Sequence, residues 1–231
     1  MKKLSIALFA LVFLAFQVTA QSSKTYNLED FSGISVSNSA DVIFTQGPKA
    51  VSVSGPQDLI DKLEVEVKKG SLSIGNQKGK SSNWSGREGL TFKISSPNLS
   101  VLLISGSCDF TLASDLKTDN LSVIISGSGD IVSKGKLTAD KVSIVIGGSG
   151  DVGFSGSCQK QSLAISGSGD VENNGLKCKE ASIVNSGNGD IEVYVSEKIS
   201  VVNSGNGDVE VKGNPNKKSI VNTGSGDIDY K

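Results

Sequence analysis

From residue 100 to the C-terminus, one pattern of aliphatic and polar residues recurs about every 20 positions. Each copy reads as a strand, a glycine-rich turn that ends in Asp, and a second strand that begins with an apolar residue. Gly stands three residues before every one of these Asp residues, which are 18 to 21 positions apart. The seven Asp residues that end the turns are Asp109, Asp130, Asp151, Asp170, Asp190, Asp208 and Asp227.

This repeat predicts a solenoid, because a unit of this length cannot bury its own apolar face and has to stack on its neighbours. Strand, turn and strand form one coil of a β-helix, and successive coils lie about 4.8 Å apart. No helical periodicity is evident after residue 20. We therefore predict an all-β fold, a right-handed parallel β-helix with seven coils of about 20 residues over residues 100–231.

The first strand of each copy has two adjacent aliphatic columns, and side chains alternate between the faces of a strand. The column seven residues before the Asp is expected to point inward, so the column six before it points outward. A strand that is apolar on both faces is usually covered on both faces. We expect the N-terminal segment or a second subunit to pack on this outer stripe. The outer stripe consists of Leu103, Ile124, Val145, Ala164, Val184, Val202 and Val221.

The column five residues before the Asp is Ile in the first four copies and Asn in the last three, Asn185, Asn203 and Asn222. Stacked Asn side chains can hydrogen-bond one another as a ladder. Our preferred interpretation is an internal ladder that satisfies the backbone of the turns. The alternative is a polar binding groove over the last three coils.

Residues 21–99 form an N-terminal β segment in which the repeat is degenerate. Residues 34–44 match its register, with Asn and Ala in place of the turn glycines, and residues 51–59 match more loosely. The alternating pattern that follows indicates a hairpin around Lys69-Gly70. Residues 75–89 are polar and rich in glycine, which predicts a long exposed loop.

Residues 1–20 have the layout of a secretory signal peptide. Lys2 and Lys3 precede an apolar run over residues 4–16, and Ala20 supplies the small residue of a cleavage site. The run is shorter than the roughly 20 residues that a membrane span needs. We expect export to the periplasm, the outer surface or the medium, with no transmembrane segment after cleavage.

Composition excludes several classes of function. Without Lys2 and Lys3 the chain has 21 basic and 24 acidic residues, and no basic block, so nucleic acid is not an expected partner. It has no His, which excludes a Ser-His-Asp triad and a His-ligated metal. We predict no catalysis. The alternative is a polysaccharide-active enzyme with paired carboxylates, for which the column Glu172, Glu192 and Glu210 is available.

The Asp column raises the question of a bound ion, since stacked carboxylates repel one another. The spacing does not match a calcium β-roll, and an Asp occupies the place where a phosphate would sit in a phosphate-binding loop. We expect no cofactor. The preferred interpretation is that each Asp accepts a backbone hydrogen bond of the adjacent turn. Calcium held along the column is the alternative.

The remaining candidate functional or structural residues are three cysteines and two loop residues. Cys158 and Cys178 fall at similar points of adjacent coils, so we predict that they form a disulfide in an oxidising compartment. Cys108 replaces a turn glycine and is expected to be free or buried. Trp84 and Arg87, the only Trp and the only Arg, lie in the predicted loop and are candidates for ligand contact. A loop Trp can stack on a sugar ring or fold back onto the sheet.

The segments FSGISVSNSADVIFTQG and LEVEVKKGSLSI, followed by the SGSGD and SGNGD units, resemble the putative auto-transporter adhesin, head GIN domain family. The resemblance covers the chain from about Tyr26 to Lys231. It implies an exported β-helix of the kind common in Gram-negative bacteria of the Bacteroidetes type. It also implies adhesion, and it supplies no catalytic residues.

We therefore expect an exported cell-envelope β-helix that acts as a binding, adhesion or surface-structural module. The expected partner is a surface glycan or a protein. A homo-oligomer formed through the outer stripe or through the terminal coil is a further hypothesis, and Asp229 and Lys231 are charges that would oppose pairing at that coil.

Overall fold

A computed structural model describes residues 22–79 and 89–231 of the chain. The predicted signal peptide, residues 1–20, and the candidates Trp84 and Arg87 lie outside the described residues. Of the described residues, 61% lie in strands and 2% in a helix, and stacked parallel strands form a β-solenoid. The predicted fold class is confirmed. Within the described ranges, no helix has the length and apolarity that crossing a bilayer requires.

The first part of the described chain contains nine strands and one short helix, α1 (Gln57–Ile60). The strands are β1 (Ser22–Tyr26), β2 (Gly33–Val36), β3 (Asp41–Gln46), β4 (Ala50–Gly55), β5 (Leu63–Lys68), β6 (Ser71–Asn76), β7 (Thr91–Ser96), β8 (Val101–Ile104) and β9 (Phe110–Leu112).

Ten further strands follow in the repeat region. They are β10 (Leu116–Ile125), β11 (Ile131–Ser133), β12 (Leu137–Ile146), β13 (Val152–Gly153), β14 (Gly156–Ile165), β15 (Val171–Asn185), β16 (Ile191–Asn203), β17 (Val209–Lys212), β18 (Lys217–Asn222) and β19 (Ile228–Tyr230).

Two walls of parallel strands run along the solenoid. The front wall contains the strand before each turn, in the spatial order β6, β2, β8, β10, β12, β14, β15, β16 and β18. The back wall contains the strand after each turn, from β7, β3 and β9 through β11 and β13 to β17 and β19. Strands β15 and β16 contribute to both walls, because each continues around a corner without interruption.

The first coil in the sequence is not the first coil in space. Strands β2 and β3 stack between the β6–β7 coil on one side and the β8–β9 coil on the other. The degenerate copy at residues 34–44 is therefore a real coil, with Ile34 opposite Leu102 as its register predicts. The chain then leaves the solenoid and returns to add the β6–β7 coil on the outer side of β2 and β3.

The looser match at residues 51–59 is not a coil. Strand β4 runs antiparallel to both β1 and β7, and helix α1 follows it directly. Pro56 ends β4, because a residue without an N–H group cannot extend the ladder of hydrogen bonds. It instead precedes the first residue of α1, where no intrahelical donor is needed.

Antiparallel strands close the N-terminal end of the solenoid. Strand β5 pairs with β6 in the hairpin that the sequence predicts, and its two turn residues, Lys69 and Gly70, have φ of 51° and 74°. Two residues with positive φ are typical of a type I′ turn. Strand β4 covers β7, and β1 covers β4. The edges of the first coil are thus paired within the chain.

The core is a stack of aliphatic side chains from successive coils. The inward column of the front wall is at most 2% exposed from Leu102 to Val201, and Ile220 of the last coil is 39% exposed. Gly127 in the turn is needed for the close approach of neighbouring coils and not for a positive φ. A Cβ on Gly127 would lie 1.8 Å from the carbonyl oxygen of Gly106. The close spacing of the coils therefore requires glycine at this point of the turn.

Candidate functional site

One corner of the solenoid carries an insertion. In each coil from β2–β3 to the last, five residues join the front wall to the back wall, such as residues 126–130. In the β6–β7 coil, Ile74 is opposite Val36 and Phe92 is opposite Val42. Residues 75–91 therefore occupy the place that residues 37–41 fill in the next coil, which is an insertion of 12 residues.

Both ends of the insertion are fixed to the rest of the fold. The backbone N–H of Gln77 donates to the carbonyl of Lys62 at 2.9 Å, and its side-chain amide donates to the carbonyl of Leu63 at 3.2 Å. At the other end Leu90 is fully buried, and its carbonyl accepts a hydrogen bond from the N–H of Asp41 at 2.8 Å. Trp84 and Arg87 belong to the segment between these anchors and lie outside the described residues.

The Asp column forms a continuous hydrogen-bonded ladder along the same corner. Each carboxylate oxygen Oδ1 accepts a hydrogen bond from the backbone N–H of the Asp in the next coil. The six distances, from the Asp109–Asp130 pair to the Asp208–Asp227 pair, lie between 2.7 and 3.2 Å. These carboxylates therefore stabilise the stacking of the turns, as charged acceptors of backbone donors.

The same ladder bears on the calcium alternative. Among residues 22–79 and 89–231, no three Asp, Glu or Cys side chains are grouped so that they could hold a metal ion. One oxygen of each of the first six carboxylates already accepts a backbone hydrogen bond. These hydrogen bonds give the Asp column a structural role in the turns.

The Asn column lies inside the last coils. Asn185 and Asn203 are fully buried, and each side-chain amide donates to the carbonyl of the glycine four residues later. The N–H of the glycine two residues later donates to the side-chain carbonyl oxygen, at 3.1 Å for Asn185. Asn203 also donates to Asn222, which is exposed in the last coil. Asn185 and Asn203 satisfy the turn backbone and line no groove.

Two members of the Glu column, Glu192 and Glu210, form ion pairs. Lys212 lies 3.4 Å from Glu192 and 3.1 Å from Glu210, and Lys231 also pairs with Glu210. The hydrogen bonds from Lys231 and Lys212 lower the pKa of Glu210 below its ordinary value. A general acid for glycoside hydrolysis needs a raised pKa instead. The environment of Glu210 is therefore the opposite of the one that such an acid requires.

Asp41 extends the Asp column by one coil beyond the seven Asp residues that the repeat predicts. Strands β3 and β9 pair Val42 with Phe110, which places Asp41 beside Asp109. Partial burial, together with the charge of Asp109, raises the pKa of Asp41. The signal was present in the sequence, because Asp41 ends the degenerate turn of residues 37–41.

The cysteines occupy interior positions. Cys158 and Cys178 are opposite each other in β14 and β15, and a disulfide joins them across two adjacent coils. Cys108 is a free, fully buried thiol. Burial, and to a lesser extent Asp41 and Asp109, raise the pKa of Cys108 to about 12. It is therefore protonated at neutral pH and is not a nucleophile.

A shallow pocket lies in the N-terminal cap between Phe31 and Pro97. The ammonium group of Lys49 at its edge is 2.8 Å from Asp30 and donates to the carbonyl of Leu28 at 2.7 Å. This cation is already paired within the chain, so the pocket offers little charge to a ligand.

Three adjacent outward columns of the front wall carry no charged side chain over seven coils. We call them the uncharged face, which consists of the outer stripe and the two outward columns beside it. The flanking columns are Val101, Ser122, Ser143, Ser162, Ser182, Ser200 and Ser219, and Ser105, Ser126, Gly147, Ser166, Ser186, Ser204 and Thr223.

The described chain leaves the outer stripe uncovered. Ile124, Val145, Val184, Val202 and Val221 are between 37% and 50% exposed. The expectation that the N-terminal segment covers the stripe is wrong for the described residues, because β1 pairs with β4 instead. In the cap, the backbone N–H and carbonyl groups of β1 form hydrogen bonds with β4. On the outer stripe they would find no such partners, because the backbone groups of the front wall are already paired.

Comparison with known proteins gave one family and several solved structures. The family model described as "putative auto-transporter adhesin, head GIN domain" matches residues 30–215. A comparison with curated proteins gave no match.

The solved structures cover nearly the whole chain. A "putative adhesin" from Bacteroides fragilis is 26% identical, with a TM-score of 0.86, and the alignment covers 91% of this chain and 97% of that one. A "putative lipid binding protein" from Parabacteroides distasonis is 22% identical, with a TM-score of 0.67 over 90% and 96% of the two chains. A "putative adhesin" from Parabacteroides merdae is 18% identical, with a TM-score of 0.69 over 91% and 96%. At sequence identities of 22% and 18%, the last two structures show a shared fold only.

Proposed function

Because the chain belongs to the family described as putative auto-transporter adhesin, head GIN domain, we propose that it is an exported binding module of the cell envelope that acts by contact and not by catalysis. The signal-peptide pattern of residues 1–20 supports export. The module consists of a rigid solenoid that holds a contact segment at one end.

The observation that carries this proposal is the insertion in the β6–β7 coil. Every later coil makes the same corner with five residues, so the extra 12 are not needed to turn the chain. Long insertions on a regular scaffold commonly carry binding residues. This one contains the only Trp and the only Arg of the chain, Trp84 and Arg87.

The chemistry of these two residues suits a surface glycan. An indole ring presents a large apolar face on which a sugar ring can stack, and its N–H can donate to a hydroxyl group. A guanidinium group offers several donors in a planar fork to a carboxylate or to hydroxyl oxygens. A protein surface that carries an acidic group next to an apolar one is the second kind of partner that would fit.

The charged columns of the solenoid favour contact over catalysis. The carboxylates of the Asp ladder accept backbone hydrogen bonds, and Glu192 and Glu210 are paired with Lys212. Hydrolysis of a glycosidic bond needs one protonated and one ionised carboxyl group on either side of the bond. In these columns the charges stabilise the stack of coils.

The test is a glycan-array and cell-surface binding measurement on the protein recovered after export, with and without calcium. We expect saturable binding that Trp84→Ala weakens by more than about tenfold, as is typical of a central aromatic contact. Arg87→Ala should weaken it to a smaller extent. Asn83→Ala, in the same insertion, is the matched control and should bind as the original protein does.

Two results would overturn the proposal. One is the absence of saturable binding to any glycan or cell surface. The other is binding that Trp84→Ala and Arg87→Ala leave unchanged, including binding that depends on calcium alone. Circular dichroism of each variant checks that the β-solenoid is intact.

A further inference from the structure

The uncharged face is left open by every segment that the structure describes. An open sheet face normally alternates apolar side chains that point inward with polar or charged ones that point outward. Here the 21 outward positions of the uncharged face are Ser, Thr, Gly, Ala, Val, Ile or Leu. Charged residues of the same coils are found only beyond the two edges of the face.

From this surface we infer that two copies of the chain associate side by side through the uncharged face, with their solenoid axes parallel. The interface does not involve the insertion of the β6–β7 coil, so the inference is independent of the proposed binding function. Three observations carry it: the area of the face, the charges at its edges, and the terminal coil.

The area is sufficient for a stable dimer. Seven coils at about 4.8 Å span about 29 Å, and the five residues across the uncharged face span about 17 Å at 3.3 Å per residue. The uncharged face alone thus offers about 500 Å² per copy, and its two charged edges extend the contact toward the roughly 800 Å² per copy of a specific interface. Its centre is the outer stripe, where Val184 is 47% exposed.

The charges at the two edges determine the orientation. One edge carries the column Asn120, Lys141, Lys160, Glu180, Lys198 and Lys217. The other edge leads through the turn to the Asp column. A two-fold axis parallel to the solenoid places the lysine edge of each copy against the Asp side of its partner. A two-fold axis across the solenoid would instead bring the Asp sides of the two copies together, and their carboxylates would repel one another.

The last described coil opposes association end to end. Lys218 is opposite Ile199, in a column that points into the core of the earlier coils. Its ammonium group lies 3.7 Å from the centre of the Tyr230 ring, in the last strand of the back wall. A charge at an inward position disfavours the pairing of a further strand beside it. Lateral pairing is therefore favoured over continued stacking.

Sedimentation velocity and light scattering of the exported protein over a dilution series test the inference. We expect a dimer that Val184→Lys dissociates by at least about 100-fold, because the two-fold axis places two lysines in the centre of the interface. Val132→Lys is the matched control. Val132 is also an exposed aliphatic residue, at 52%, but it lies on the back wall, so this variant should remain dimeric.

Single cysteines test the orientation. In a parallel dimer every position of the outer stripe faces its own equivalent, so Ile124→Cys and Val202→Cys should each form a cross-linked dimer alone. In an antiparallel dimer these two variants would cross-link only when mixed. The original cysteines do not compete, because Cys108 is buried and the other two are joined.

A monomer at all concentrations would overturn the inference, as would a dimer that Val184→Lys leaves intact. A monomer whose glycan binding is lost in Val184→Lys would assign the face to the ligand instead of to a second copy. Cross-linking only in the mixture of the two cysteine variants would overturn the parallel orientation.

Discussion

Two adjacent glycines, Gly147 and Gly148, are expected to respond in opposite ways to the same substitution. A Cβ on Gly148 would lie 1.9 Å from the carbonyl oxygen of Gly127, whereas the nearest heavy atoms to a Cβ on Gly147 are 3.9 Å away. Other coils carry Ser at the position of Gly147, for example Ser126 and Ser166, so a Cβ is accommodated there. The position of Gly148 is Gly in all seven repeat turns.

The magnitude follows from the distances. A carbon and an oxygen atom need about 3.2 Å, so Gly148→Ala has to separate the coils locally by more than 1 Å. The hydrogen bond from the N–H of Ser149 to the carbonyl of Gly127, now 3.0 Å, would be broken, and so would the bond from Asp151 to Asp130 at 2.9 Å. Two hydrogen bonds at about 1 kcal/mol each, with about 1–3 kcal/mol of overpacking, give a loss of about 3–5 kcal/mol.

Gly147→Ala creates no such contact. Its main effect is on the unfolded chain, in which Ala has fewer conformations than Gly, so the free energy of unfolding should rise by up to about 1 kcal/mol. For a chain of this size, the two variants should differ in melting temperature by about 10 °C or more.

Thermal unfolding followed by circular dichroism, with urea unfolding as the second measurement, provides the assay. Equal effects of the two substitutions would refute the argument that coil spacing requires glycine at position 148. A Gly148→Ala variant that loses less than about 1 kcal/mol would refute it as well.

Three further predictions concern the turns and the cysteines. Asp170→Ala removes the oxygen that accepts a hydrogen bond from the Asp190 N–H at 2.7 Å, so the free energy of unfolding should fall by about 1 kcal/mol. Asp170→Asn keeps an acceptor and should be nearly neutral. Equal losses of stability in urea unfolding would contradict the role of Asp170 in the turn. Replacing both Cys158 and Cys178 by Ala should lower this free energy by about 3 kcal/mol, since the bond closes a separation of 20 residues, and an unchanged urea midpoint would argue against it. Because burial raises the pKa of Cys108 from 9.0 to about 12, the unfolded thiol ionises first as pH rises. Stability should therefore be unaffected by this group below about pH 9 and should fall toward pH 12, and a Cys108→Ala variant with the same alkaline loss would contradict this.

The repeat made most of the solenoid predictable, because each coil contacts its neighbours at nearly constant sequence separation. Residues that are opposite each other in space, such as Val123 and Ile144, occupy the same column of the repeat. Alternation along each strand then distinguishes the inward column from the outer stripe. Even the degenerate coil at residues 34–44 could be placed, since Ile34 and Val42 keep the apolar positions.

The candidate site was only partly predictable. Composition singled out Trp84 and Arg87, and the glycine-rich sequence around them indicated a loop. The loop is informative because it lies at a corner that other coils make with five residues. This is evident only from the pairing of Ile74 with Val36 and of Phe92 with Val42. That pairing has no signature in the loop itself.

The sequence by itself determined the period of the coils, the direction of each column and the position of every turn in the repeat region, because these depend on local alternation and on contacts between adjacent units. Only the tertiary structure decided the order β6, β2, β8, the antiparallel cap and the exposed state of the outer stripe. These features depend on which free edge a distant segment pairs with. Such a choice is made by competition among hydrogen-bonding edges across the whole chain, and no single stretch of sequence records its outcome.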